Sequence, residues 1–209
     1  MEITIEVRGQ ARTTVIPELA HVDAAVTADG PKPGPVKEQV AALVRSVRQE
    51  LDALGDAVIR YAVAQVQVSQ HRPWNEQGEQ LPLVYTATAG VTAEFADLEA
   101  LGRWVLTDGL IVHGLDWRLT EATRAQIERQ VRQDALREAV VRAQDYADTP
   151  SLGPVSLRSI RDAGMAVPGM QPRMLMAAAE AGRPTVELSA EPLEIDAEVH
   201  ATFVVGTAT

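Results

Sequence analysis

Between Leu193 and Val205 apolar and polar residues alternate almost without a break. Leu193, Ile195, Ala197, Val199, Ala201, Phe203 and Val205 fall on one parity, and Glu194, Asp196, Glu198, His200 and Thr202 on the other. Successive side chains of an extended chain point to opposite sides, so this parity specifies a long β-strand with one buried face and one wet face. Such a strand needs hydrogen-bonding neighbours at its edges and a covering layer on its apolar face.

The covering layers are readable upstream. Val36, Val40, Leu43, Val44, Val47, Leu51 and Leu54 make one helical stripe, with Pro35 in the first turn, Gly55 as the stop, and Lys37, Glu38, Arg45, Arg48 and Asp52 outside. A longer helix opens at Thr120 and ends before Pro150, with Ile127, Val131, Ala135, Ala139, Ala143 and Tyr146 as its expected buried stripe. Its alanines point to close packing against a sheet. Its Glu128/Arg132 and Glu138/Arg142 pairs add about 0.2–0.5 kcal/mol each.

Further extended runs surround these helices. Ile3, Ile5 and Val7 alternate until Gly9 interrupts, a second run reaches Ile16 and Pro17, and a third covers Leu19 to Thr27. Val58 to Gln70 and Leu83 to Phe95 form a hairpin with a polar tip between His71 and Pro82. Asp97 caps a short helix, Leu115, Trp117 and Leu119 alternate again, and Val155, Leu157 and Ile160 mark another strand. The expected fold is α+β: an antiparallel-rich sheet with helices packed on one face. It contains a βαββαβ, ferredoxin-like core over about residues 19–119, plus a long third helix and C-terminal strands. One domain spans residues 1–209, divisible into 19–119 and 120–209 with the N-terminal strand.

At 209 residues the chain can bury roughly 70% of its unfolded surface without a staple. It has no cysteine, which removes disulfides, thiolate metal sites and cysteine nucleophiles together. A net charge of −10, with Lys32 and Lys37 the only lysines, argues against nucleic acid or an anionic membrane as partner. No stretch approaches the ~18 apolar residues of a membrane span, so membrane insertion is not expected. Met1 to Val7 reads as a strand and not as a signal peptide, from which a cytoplasmic location is expected.

Candidate chemistry is sparse. His21, His71, His113 and His200 stand singly, without the spacing of a helical metal site. Glu194, Asp196 and Glu198 share a strand face and could gather a hard cation, but a solvated face opposite the core is the favoured reading. No phosphate-binding glycine loop and no nucleophile elbow occurs, so no catalytic residue, metal or cofactor is implied. Two segments stand out. His71, Trp74, Asn75 and Glu76 make a polar-aromatic cluster at the hairpin tip, a candidate ligand loop set against the favoured reading of a connecting loop with one packed tryptophan. Met165, Met170, Met174 and Met176 concentrate between Gly164 and Pro184, a candidate contact with a second subunit or another protein set against the favoured reading of a mobile loop with a short helix near Pro172 to Ala181.

With these elements placed, the chain resembles the SIMPL-domain family of bacterial proteins. The resemblance rests on Ile5-Glu6-Val7-Arg8-Gly9-Gln10-Ala11 with Pro17 and Ala20, on Asp97-Leu98 with Leu101-Gly102, and on Leu115 to Leu119. It continues through Arg137-Glu138-Ala139, Ala143 and Tyr146-Ala147, then Leu152-Gly153-Pro154-Val155, and closes on Glu194 to Val205. Ala11 stands where a second glycine is usual, and Asp148-Thr149-Pro150-Ser151 alters the usual helix end. The resemblance implies an α+β fold, self-association as a homo-oligomer and a stress-related role, and it brings no catalytic residues. The expected function is therefore a non-enzymatic, self-associating protein. The alternative is a small-molecule binding module or enzyme with its site at residues 71–76.

Overall fold

The computed structural model describes residues 3–163 and 189–205. Its strands are β1 (Ile3–Val15), β2 (Leu19–Gly30), β3 (Val58–Val63), β4 (Gln67–His71), β5 (Val84–Phe95), β6 (Leu110–Arg118), β7 (Val155–Asp162) and β8 (Leu193–Val205). Its helices are α1 (Pro33–Ala53), α2 (Leu98–Trp104) and α3 (Glu121–Asp148). The α+β class with antiparallel sheets follows the sequence expectation. The strands divide between two sheets, of order β1-β8-β7 and β3-β5-β2-β6, with β4 also pairing β5. Among the described residues the chain forms two compact units: residues 18–118 with 189–190, and residues 3–17 with 119–163 and 191–205.

In the first unit α1 lies on β2 and β5. Val36, Val40, Val47 and Leu51 are its buried residues, four of the seven positions on the expected stripe. They meet Val22, Val26, Ala89 and Val91 from the inner parity of the sheet. Phe95 and Trp104 close one end, their rings 5.2 Å apart and tilted by 42°. Asp97 caps α2 by accepting hydrogen bonds from the backbone N–H of Glu99 (2.8 Å) and Ala100 (3.1 Å). Helix α1 begins at Pro33 and holds Pro35 in its first turn, as expected. One detail differs from the sequence reading. The extended run from Val58 is two strands, broken at residues 64–66, each pairing with a different stretch of β5.

In the second unit β8 is the central strand, and the parity seen in the sequence holds. Ile195, Ala197, Val199, Ala201, Phe203 and Val205 are buried, and the alternate residues are not. β1 pairs with β8 from Ile3↔Val205 to Val15↔Leu193 without a register shift. Gly9 therefore does not interrupt β1. It lets α3 approach: a Cβ there would lie 2.0 Å from the Ala135 carbonyl oxygen and 2.7 Å from Ala139 Cβ. The buried stripe of α3 is Val131, Ala135, Ala139, Ala143 and Ala147, a four-residue spacing of small side chains. Tyr146, expected inward, is 62% exposed, because the spacing carries the stripe to Ala147 instead. No helix among the described residues is long and apolar enough to cross a membrane.

Candidate functional site

The sheet β1-β8-β7 has α3 on one face. On the other face lies a shallow, open groove of about 500 Å³, lined by Glu6, Arg8, Ser159, Arg161, His200 and Thr202. Register builds it. Arg8 stands opposite His200, and His200 opposite Arg161; Glu6 stands opposite Thr202, and Thr202 opposite Ser159. Two cross-strand rows thus run side by side across three strands, one of cation-forming side chains and one ending in two hydroxyls. Directly opposed residues have side chains about 5 Å apart at Cβ, so each row acts as a unit.

Glu198 anchors one side of this surface. Its carboxylate accepts a hydrogen bond from Gln10 Nε2 at 2.7 Å and lies 3.5 Å from Arg8 Nη1 and 3.2 Å from His200 Nε2. The Gln10 hydrogen bond, followed by the Arg8 and His200 charges, holds the Glu198 carboxyl below its ordinary value despite opposing desolvation. Farther along, Arg12 pairs with Glu194 at 2.8 Å and stands in register with Asp196. The carboxylates Glu194, Asp196 and Glu198 thus face the cations and amide of β1. No group of three or more acidic or histidine side chains poised for a metal ion occurs among the described residues.

The hairpin tip is arranged differently. The Asn75 side chain accepts from the backbone N–H of Gln77 (3.1 Å) and Glu79 (2.8 Å), and its amide donates to Glu79 Oε2 at 3.0 Å. Asn75 therefore closes its own turn, supported by a Trp74–Gln80 bridge. Trp74 is 63% exposed, and His71 and Glu76 are exposed beside it. Met165, Met170, Met174 and Met176 lie outside the described residues.

One ionic cluster had no clear signal in the sequence. Glu94 on β5 is buried to 6% exposure, pairs with Arg60 of β3 at 2.7 Å and lies 4.0 Å from Arg118 of β6. His21 stands in register with Glu94 and Asp116, and its Nδ1 finds no hydrogen-bond partner among the described residues. The groove residues Arg8 and Arg161 were missed for a related reason. They stand about 150 positions apart, and only the pairing of both β1 and β7 with β8 brings them to His200.

The family follows from a match along nearly the whole chain and not from one motif. Residues 5–203 match the SIMPL family model, described as a protein of unknown function (DUF541). The chain belongs to the SIMPL family. The match takes in both compact units, from β1 to β8. No curated protein matches the chain.

Proposed function

We propose that this SIMPL protein acts by self-association and not by catalysis, and that its contact surface is the β7 side of the three-stranded sheet. The observation that carries this reading is the apolar exposure there. Leu157 is 46% and Ile160 49% exposed on β7, and both stand in register with buried residues of β8, Phe203 and Ala201, on the side that faces α3. On α3, Val140 is 40% exposed and lies one turn before Gln144, whose Oε1 accepts from the Val155 backbone N–H at 3.0 Å. Three large apolar side chains therefore border one edge of the sheet, where burial against a second copy is favourable.

A bulge at Arg158 bends β7 and disfavours plain extension of the ladder, so the proposed contact is between side chains. Light scattering over a micromolar dilution series tests it. The wild type should be larger than a monomer. Ile160→Asp should shrink the assembly while leaving the far-UV spectrum unchanged, because Ile160 is half exposed and its loss leaves the core intact. A wild type that is monomeric throughout removes the proposal. The stress-related role is a further proposal and has its support in the family resemblance.

A second reading, a small-molecule site at His71, Trp74, Asn75 and Glu76, draws on the exposure of Trp74. A ligand seated there would change indole fluorescence, and Trp74→Phe would abolish that change.

A further inference from the structure

We propose that the outer face of the β1-β8-β7 sheet binds an oxyanion, a phosphate or sulfate group carried by a small molecule, through Arg8, His200 and Arg161 with Ser159 and Thr202. The argument begins from an imbalance in the sheet. Along β1 and β8 two neighbouring rows are complementary: Arg12 faces Asp196 and reaches Glu194, and the neutral amide of Gln10 faces Glu198 and donates to it. The row Arg8–His200–Arg161 breaks that rule by placing three nitrogen donors opposite one another across three strands. Like charges directly opposed in a sheet are destabilising, so a protonated row of this kind is unfavourable unless an anion joins it.

The neighbouring carboxylates do not discharge the row. Glu198 divides itself among Gln10, Arg8 and His200, and no carboxylate among the described residues is in ion-pair contact with Arg161. Glu6 lines the far side of the groove and sets a negative limit to it. Between these boundaries the donors are the exposed Arg8 and Arg161 guanidinium groups and His200, with the exposed Ser159 hydroxyl and the half-buried Thr202 hydroxyl in the next row. Planar guanidinium donors with hydroxyls alongside match the oxygens of a tetrahedral anion. A groove of about 500 Å³ is larger than one such anion and has the size of ordinary small-molecule sites, which is why the anion is assigned as part of a larger molecule.

Sulfate is the probe. Binding is followed on the full chain by NMR shifts of His200 and by calorimetry, since sulfate stabilises folded proteins non-specifically and melting would not discriminate. The expected result is saturable binding. Arg161→Gln should weaken it about tenfold, and Arg12→Gln, on the same face but outside the groove, by less than about twofold. Absence of saturation overturns the proposal. So does equal weakening by Arg161→Gln and Arg12→Gln, which would mean general surface charge.

Discussion

Substituting Gly9 by alanine tests how the three-stranded sheet is covered. The added Cβ would fall 2.0 Å from the Ala135 carbonyl oxygen, 2.7 Å from Ala139 Cβ and 2.8 Å from the Ala139 nitrogen. These obstacles are helix backbone and the first atom of a side chain, so no rotamer change can clear them. A carbon and a carbonyl oxygen approach to about 3.3 Å at closest, so α3 must retreat by about 1 Å. That retreat loosens Val131, Ala135, Ala139 and Ala143 from Val7, Val199 and Ala201 together. Overpacking of this kind costs about 1–3 kcal/mol, and the rigid obstacle places it at the upper end. Alanine also restricts the unfolded chain, which returns about 0.4–1 kcal/mol. The net loss should be about 2 kcal/mol, large beside a typical total of about 5–15 kcal/mol. In urea, with a slope of about 2 kcal/mol/M, the midpoint should fall by about 1 M. Hydrogen exchange in α3 would assign the loss to the unit that holds Gly9. Gly114→Ala on β6 is the matched control: nothing lies within 4 Å of a Cβ there, so its midpoint should hold or rise. A Gly9→Ala midpoint equal to the wild type would refute the claim that α3 rests on this glycine.

Two other outcomes follow from the cap and from the lowered carboxyl. Asp97→Ala removes the acceptor for the Glu99 and Ala100 N–H groups and should cost about 1 kcal/mol in denaturant unfolding; an unchanged midpoint would show that solvent replaces the cap. The Glu198 carboxyl is held below its ordinary value in the fold, chiefly by the Gln10 hydrogen bond, so the folded chain binds fewer protons there than the unfolded chain. Its stabilisation is present above the ordinary glutamate value of about 4.3 and is lost as pH falls through the lower, folded value. The gap in urea midpoint between wild type and Glu198→Gln should therefore be widest near pH 6 and close toward about pH 3; a gap that stays constant would contradict the assignment.

Local patterns carried well from sequence to structure, and long-range pairing did not. The alternation of β8 is a local signal, as is the stripe of α1 and the Asp97 cap, and each appears where periodicity placed it. Gly9 read as an interruption because a glycine usually weakens a strand. Its reason for being there is α3, more than a hundred residues away in sequence. The helix stripe slipped from Ala147 to Tyr146 because hydrophobicity favours the aromatic, whereas close approach to a sheet favours the smaller side chain. The run from Val58 read as one strand because both halves are extended. Only their separate pairing with β5 shows the break. The groove was out of reach for the same reason: His200 was legible on a polar face, but its neighbours Arg8 and Arg161 are set by register.

The two edges of the β1-β8-β7 sheet are covered differently, which supports the choice of β7 for the proposed contact. On β1 the outward-pointing backbone is sealed by the helix: Arg142 Nη1 donates to the Arg8 carbonyl at 2.7 Å, and the Gln10 N–H donates to Glu138 Oε2 at 3.2 Å. Arg142 and Glu138 also pair with each other. An ion pair read as a minor helix stabiliser therefore also blocks strand addition at β1. On β7 the extra residue at Arg158 changes the parity. Leu157 and Ile160, three apart, fall on the side facing α3, while Ser159 and Arg161 fall on the groove side with Thr202 and His200. Without that shift Leu157, Ser159 and Arg161 would share one face. The bulge thus sorts the apolar residues proposed for self-association from the polar residues proposed for the anion, so that one edge strand can serve both surfaces at once.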